Sequence, residues 1–282
     1  MNAYLTEAFD IATALKKKYK DAEERILQLL FAVLVSVRSG RGAGMRFIGV
    51  KQSINDLLEQ LKQEGISWSH VDLASIFISG VVQCDLDTLQ NVSDNELADE
   101  YNEAVGVIVQ EAEDRLKSVS DTVQRNINEV LAAVTLTLLS ARLIKPVVGG
   151  QVIPPLQNMR IDNLQKELTE RGLTGFVDRR GSQWKMQTYV DTVLDNNIIQ
   201  AYRKGYTMRM MENGFDLVDV LGGIHENSCD DCIDIVTNHP VLSVTGATPG
   251  YMTIEEAEAQ GLGHIGCVHY YEYHSTANPN AG

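Results

Sequence analysis

The chain has 282 residues, of which 44% are hydrophobic, enough apolar side chain for one large domain or two ordinary ones, so general disorder is excluded. Lys and Arg total 24 against 38 Asp and Glu, a formal charge of −14, which excludes a protein built to coat nucleic acid; no strong nucleic-acid binding is expected. Four cysteines do not make a disulfide framework, and no charged-apolar-small leader opens the chain, so synthesis in a reducing cytoplasm is expected.

Residues 4–37 contain neither Gly nor Pro and predict one long helix or two abutting ones, polar around Lys16, Lys17, Lys18 and Lys20 and buried toward Ile26–Leu34. Three glycines between Arg38 and Arg46 break it. That loop lacks the Gly-Lys-Ser/Thr ending of a phosphate cradle and reads as an interhelix connection. A second amphipathic helix carries Ile54, Leu57, Leu58 and Leu61 and closes at Gly65; a third covers 71–82. The two most apolar stretches, 26–37 and 130–141, have 12 residues each, short of the ~20 that cross a bilayer, so no membrane span is expected.

Ser93 and Glu96 form a Ser-x-x-Glu capping box. From there Leu97, Tyr101, Val105, Ile108, Ala112, Leu116, Val119, Val123, Ile127, Val130 and Val134 recur with spacings of 4, 4, 3, 4, 4, 3, 4, 4, 3 and 4. This 11-residue repeat keeps one stripe on one side of a nearly straight helix. Residues 97–134 would span roughly 55 Å, as a strut, a partner-binding helix or a helix packed in its own domain. Pro146, Gly149, Gly150, Pro154 and Pro155 mark the best domain boundary.

Beyond the boundary the texture changes. A short helix over 161–170, a hairpin pairing Phe176-Val177 with Gln183-Trp184, a helix over 185–213 ending at Gly214, a strand at 217–221, a capped helical turn at 253–260 and a strand at 268–273 are predicted, with loops between. The fold class is therefore α+β: a long-helix region over 1–150, a compact α+β module over 151–274 containing a Cys/His cluster, and a polar tail over 275–282. After Arg209 no Lys or Arg follows while 11 acidic residues do, an acidic block that phosphate would repel.

Three of the four cysteines and five of the six histidines fall after residue 224. Cys229-Asp230-Asp231-Cys232 has the two-residue gap that lets two thiolates reach one ion. After 31 further residues come His264, Cys267 and His269. Cys229, Cys232 and Cys267 with either His264 or His269 would complete a tetrahedral structural zinc site; the same residues read equally well as a metal-free packed cluster. Asp230 and Asp231 should raise the neighbouring thiol pKa values and disfavour redox chemistry. An enzyme using Cys267 with His264 or His269 as base is the alternative reading; no oxyanion-hole signature accompanies it. His225, His239 and His274 read as surface histidines, and Cys84 as a small buried apolar residue.

The segment Gly175–Trp184, the Tyr189-centred helix, Gly214-Phe215-Asp216-Leu217-Val218, His225 ahead of Cys229-x-x-Cys232, and the closing His264-x-x-Cys267-x-His269 occur in that order over about residues 160–274. In this order they resemble the minor capsid proteins of tailed bacteriophages that carry a Mu F-like head morphogenesis domain. Ile265, Gly266 and Val268 stand where that family usually has Pro, Asn and Arg. The resemblance implies a non-enzymatic structural protein of the virion, made in the host cytoplasm and incorporated during head assembly at the portal vertex or inner capsid face. The implied partners are the phage portal protein, the major capsid protein or both, and the implied effects are on DNA packaging or release.

Overall fold

A computed structural model of the chain describes residues 3–39, 43–89, 99–143, 147–148, 151–152, 176–177, 183–184, 186–226, 228–264 and 266–275. Three long helices come first: α1 (Ala3–Ser39), α2 (Ala43–Asp87) and α3 (Asp99–Leu143). In α1, Leu5, Ala8, Ala12, Leu15, Tyr19, Ala22, Ile26, Leu30 and Val33 are buried, three or four residues apart. The apolar stripe therefore runs the whole helix, including the lysine-rich part expected to be polar. Lys17, Lys18 and Lys20 are exposed, while Tyr19 between them is fully buried.

The helix break expected at Gly65 is absent, because α2 runs through it. A Cβ at residue 65 would lie 3.0 Å from Tyr19 Oη and 3.2 Å from Leu116 Cδ1; the glycine serves close helix packing rather than termination. By length and composition, one helical stretch among the described residues, Ile48–Asp87, is long and apolar enough to cross a membrane. Trp68, Leu73, Ile76, Phe77, Val81 and Cys84 of that stretch are buried within the chain, as in a core helix.

In α3 the expected stripe is buried at Tyr101, Val105, Ala112, Leu116, Val119, Val123 and Ile127. At two steps the next residue takes the inward place, Val109 beyond Ile108 and Leu131 beyond Val130. Ser93, Glu96 and Leu97 lie outside the described residues, as does the helix expected over 161–170.

Two short antiparallel pairs follow, β1 (Val147–Val148) with β2 (Gln151–Val152) and β3 (Phe176–Val177) with β4 (Gln183–Trp184); the second, with Phe176 opposite Trp184, is the expected hairpin. Next come α4 (Met186–Glu212), ended by Gly214 at φ +75°, and β5 (Leu217–Leu221). Beyond it lie α5 (Asp230–Asn238), β6 (Val241–Ser243), α6 (Ile254–Gln260) and β7 (Tyr270–Tyr273). A reciprocal Thr253–Glu256 capping box opens α6. The three-stranded sheet is antiparallel in the order β6-β5-β7. α5 and β6 stand where loops were expected.

The chain divides into two compact units: Met1–Ala14, Ile66–Asp114 and Thr192–Gly282 form one, Leu15–Gly65 and Arg115–Asp191 the other. In the second unit, Tyr19 Oη donates to the Leu61 carbonyl at 3.3 Å, and Lys18–Glu64 (3.3 Å) and Lys62–Asp121 (3.7 Å) flank the helix contacts. In the first, α4 is buried on almost every side through Leu194, Ile198, Ala201, Tyr202, Tyr206 and Met210, the pattern of a central helix. Phe77 meets Tyr101 edge-on with centroids 5.5 Å apart, and Tyr202 meets Tyr270 at 6.4 Å.

Helices α2 and α4 touch backbone to backbone at a reciprocal glycine pair. A Cβ at Gly80 would collide with the Tyr202 carbonyl, and one at Gly205 with the Phe77 carbonyl. Gly to Ala in a helix normally gains about 0.5–1 kcal/mol, but here overpacking of about 1–3 kcal/mol or more opposes it and wins. Gly205→Ala should therefore lower the unfolding midpoint. Gly106→Ala, where nothing lies within 4 Å of the new methyl, should raise it; denaturant titration of both variants checks the opposite signs.

Asp216, at the foot of β5, accepts from the Thr245 amide (2.8 Å), Thr245 Oγ1 (2.6 Å), Ser243 Oγ (2.7 Å) and the Thr248 amide (2.9 Å). Partial burial pushes its carboxyl upward, but these bonds outweigh it and hold the group below the ordinary value of 3.8. A depressed carboxylate stabilises the fold above its unfolded pKa and loses that contribution as pH falls through the folded one. Asp216→Ala should cost roughly 1–2 kcal/mol at neutral pH, discounted for its partial exposure. The difference from the unsubstituted protein should shrink as pH drops below 3.8, which urea titration at several pH values would read.

Candidate metal centre

Beyond β5 the chain turns through Gly222 and Gly223, where His225 Nε2 lies 2.7 Å from the Gly222 carbonyl and Ser228 Oγ accepts the His225 amide at 2.8 Å. Cys229 then caps α5: its backbone is extended (φ −75°, ψ 160°) and its Sγ accepts from the Cys232 amide at 3.4 Å. Asp230 and Asp231 occupy the first turn, where carboxylates oppose the positive end of the helix dipole. This is why a helix starts at the Cys-x-x-Cys rather than a loop. One turn in, Cys232 is 2% exposed.

The other arm comes from the loop after α6. His264 places Nε2 at 3.1 Å from Cys229 Sγ and 3.4 Å from Cys232 Sγ. The Cys267 amide bonds back to the His264 carbonyl at 2.9 Å, which turns the chain and sets Cys267 and His269 just ahead of β7. His269 Nε2 is 2.9 Å from the Gly223 carbonyl and its Nδ1 is 3.4 Å from Cys267 Sγ. A carbonyl can only accept, so Nε2 carries a proton toward Gly223.

The five residues singled out in the sequence thus come together as two triads, Cys229–Cys232–His264 and Cys232–Cys267–His269. In each, the donor atoms lie within 4.8 Å of one another, and Cys232 belongs to both. Burial pushes the Cys232 thiol well up, followed by its neighbours Cys229 and Cys267; the adjacent aspartates, expected to be the cause, are not among the leading ones. For Cys267 burial also acts upward. Hydrogen bonds from His269 and Gly263 and the charge of Arg203 outweigh it and bring the thiol down to about 6.

Arg203 is the residue that sequence reasoning missed. It is buried on α4, donates Nη2 to Tyr271 Oη at 2.6 Å and to Glu258 Oε1 at 3.0 Å, and stacks 4.7 Å over the Tyr271 ring. The available signal was a guanidinium inside the apolar stretch Ile198–Tyr206, which needs a buried partner. The remaining candidates lie outside the cluster. His239 caps the end of α5 through its backbone, and His274 Nδ1 is 2.9 Å from Asp219 Oδ1. Cys84 is fully buried and pushed up to about 12, first by burial and then by Asp85 and Asp87, an unreactive thiol.

Two or three thiol sulfurs with an imidazole nitrogen are the donor set of a structural zinc ion, and their convergence within one loop system fits such an ion. Residues 159–274 match the family model described as phage minor capsid protein 2. No curated protein and no solved structure matches the chain. The matched span includes α4, the three-stranded sheet and all five residues of the two triads. The Mu F-like character read from the ordered motifs is a finer assignment than this match. Over residues 159–274 the chain is thus similar to the phage minor capsid proteins, and the match supports a structural role of that kind.

Proposed function

We propose that this chain is built into the phage head during assembly in the host cytoplasm, at the portal vertex or inner capsid face. There it contacts the portal protein, the major capsid protein or both and influences packaging or release of DNA, without catalysing a reaction. The family match over residues 159–274 carries the reading. The acidic block after Arg209 supports it, since a protein facing packaged DNA without adhering to it needs a repulsive surface. Protease added to intact, DNA-filled heads should leave the chain uncut and should cut it once heads are opened; cleavage in intact heads would contradict an interior position.

Within this role, Cys229, Cys232, His264 and Cys267 would hold one zinc ion, with His269 supporting Cys267 from outside the ligand set. His264 Nε2 already lies between two thiols, whereas His269 Nδ1 has one at hydrogen-bond distance, Cys267 Sγ at 3.4 Å. The ion would supply structural cross-linking of α5 to the loop before β7. A second reading is favoured by one observation, the lowered pKa of Cys267 beside His269: a thiol enzyme with Cys267 as nucleophile. At 4% exposure that sulfur suits a ligand better than a nucleophile. Any hydrolytic or transfer activity that survives Cys267→Ala unchanged removes this second reading.

A further inference from the structure

The Cys/His cluster offers five donors, one more than a four-coordinate zinc ion takes. They fall into two overlapping triads, Cys229–Cys232–His264 and Cys232–Cys267–His269, each with its donor atoms within 4.8 Å of one another, and Cys232 is common to both. The first triad is open to solvent, with His264 exposed and Cys229 half-buried; the second is buried throughout. His269 is oriented as a ligand. Its Nε2 donates to the Gly223 carbonyl at 2.9 Å, which leaves Nδ1, 3.4 Å from Cys267 Sγ, as the ring atom that can face an ion. Metal-bound imidazoles almost always donate their other N–H in this way. Sulfur and nitrogen ligands of one tetrahedral zinc lie about 3.6 Å apart at the usual bond lengths, and the thiol–imidazole distances in the two triads, 3.1 and 3.4 Å in the first and 3.4 Å in the second, are close to that spacing.

Charge favours filling both triads. Three thiolates exceed the charge of one divalent ion, and Asp230 and Asp231 in the first turn of α5 add to the excess. Arg203, whose charge acts on Cys267, is paired with Glu258. A second divalent ion reverses the balance. There is also room beside the second triad: a cavity of about 160 Å³ reaches Cys267 between Phe9 of α1 and Thr192, Asp195 and Asn196 of α4. The buried Asn196 Nδ2 has no hydrogen-bond partner among the described residues, and a water in that cavity would give it one while serving as fourth ligand of an ion with three protein donors. We infer that the cluster takes a second zinc ion, held by Cys232, Cys267 and His269, with the Cys232 sulfur bridging it to the first. The first ion then keeps Cys229, Cys232 and His264 and takes a water in place of Cys267 on its exposed side. With three protein ligands and a like charge beside it, the second ion binds more weakly than the first, so freshly purified protein carries one ion and added zinc fills the other place.

A second site rests on the zinc reading above, and stoichiometry tells the two apart. The full chain, stripped of metal under reducing conditions, is titrated with zinc against a chromophoric chelator. Two equivalents should bind, the second at least about tenfold more weakly than the first. The same protein loaded with ¹¹³Cd should give two cadmium resonances that split each other through the shared sulfur, with the Cys232 β-protons correlated to both. His269→Gln should bind one equivalent and keep one resonance, while His239→Gln, whose histidine lies outside the cluster, should still bind two. Saturation at one equivalent, or two cadmium resonances without mutual splitting, would overturn the second site and leave a single-ion centre standing. A second equivalent that persists unchanged in His269→Gln would overturn it too, since that ion would then sit elsewhere on the chain. No bound zinc at all would overturn both readings. The cadmium spectrum of the unsubstituted chain decides the matter even where a variant fails to fold.

Discussion

Chelation of freshly purified protein should remove about one zinc per chain and lower the thermal midpoint on the order of 10–20 °C, the equivalent of roughly 5 kcal/mol for a protein of this size. α5 has nine residues, too few to stand without tertiary support, and it buries only Cys232 and Ile235. Among the described residues of the loop from Gly261 to His269, Leu262, Cys267 and His269 are buried and His264 is exposed, so there too few apolar side chains anchor the chain. Thiols and imidazoles drawn within 4.8 Å are poor hydrogen-bond partners for each other, so packing by itself gives little cohesion there. An ion that binds the folded arrangement and not the open chain supplies it. Cys229→Ser and Cys232→Ser should both reproduce the chelated midpoint and show no further response to chelator. His269→Gln should keep the metal but lower its affinity about 10–100-fold. His264→Gln should lose it, and the reverse order would exchange the roles of the two histidines.

The second large effect is expected at Asp85. Its side chain is fully buried, and it accepts from Arg209 Nε at 2.6 Å and Nη2 at 3.0 Å and from Asn213 Nδ2 at 3.0 Å. Around this fork Arg209 Nη1 reaches Glu212 at 2.9 Å, and Glu212 accepts a short bond from Tyr101. Nearby, Tyr206 donates to Asp87 at 2.6 Å and accepts the Tyr273 amide at 2.7 Å. The network ties the end of α2, the start of α3, the end of α4 and β7 together. Arg209 is held above its ordinary pKa chiefly by the Asp85 hydrogen bond. Asp85→Ala would take from a largely buried guanidinium its fully buried counter-charge and leave it only the partly exposed Glu212, at a cost of about 3 kcal/mol. The double variant Asp85→Ala/Arg209→Met should be markedly less damaged than the sum of the singles, with a coupling of at least about 1–2 kcal/mol. Denaturant titration of the four proteins measures it, and simple additivity would show that the network contributes little.

The sequence made the periodic features legible and hid the long-range ones. The α3 stripe follows from the spacing of apolar residues and is buried almost as read over 101–131, because a long Pro-free surface with a single glycine, Gly106, offers little that competes with the helical period. Gly65 misled because a glycine that ends a helix and a glycine that lets Tyr19 and Leu116 approach look identical in one dimension. α5 was hidden because Asp230 and Asp231 resemble loop residues, and a cysteine is an unusual cap. The Cys/His cluster was visible because its donor types are rare and crowded into one segment. The Asp85–Arg209 pair spans 124 residues and leaves no local mark. The weak, broken apolar spacing of α4 obscured how completely that helix is buried.

The proposed role of this chain is that of a structural component of the phage head. Its most direct test is mass spectrometry of gradient-purified heads washed free of unassembled protein. The account predicts peptides from both the helical region and residues 159–274 in those heads, at a copy number well below that of the major capsid protein. Heads that are complete and filled with DNA yet contain no peptide of this chain would contradict it.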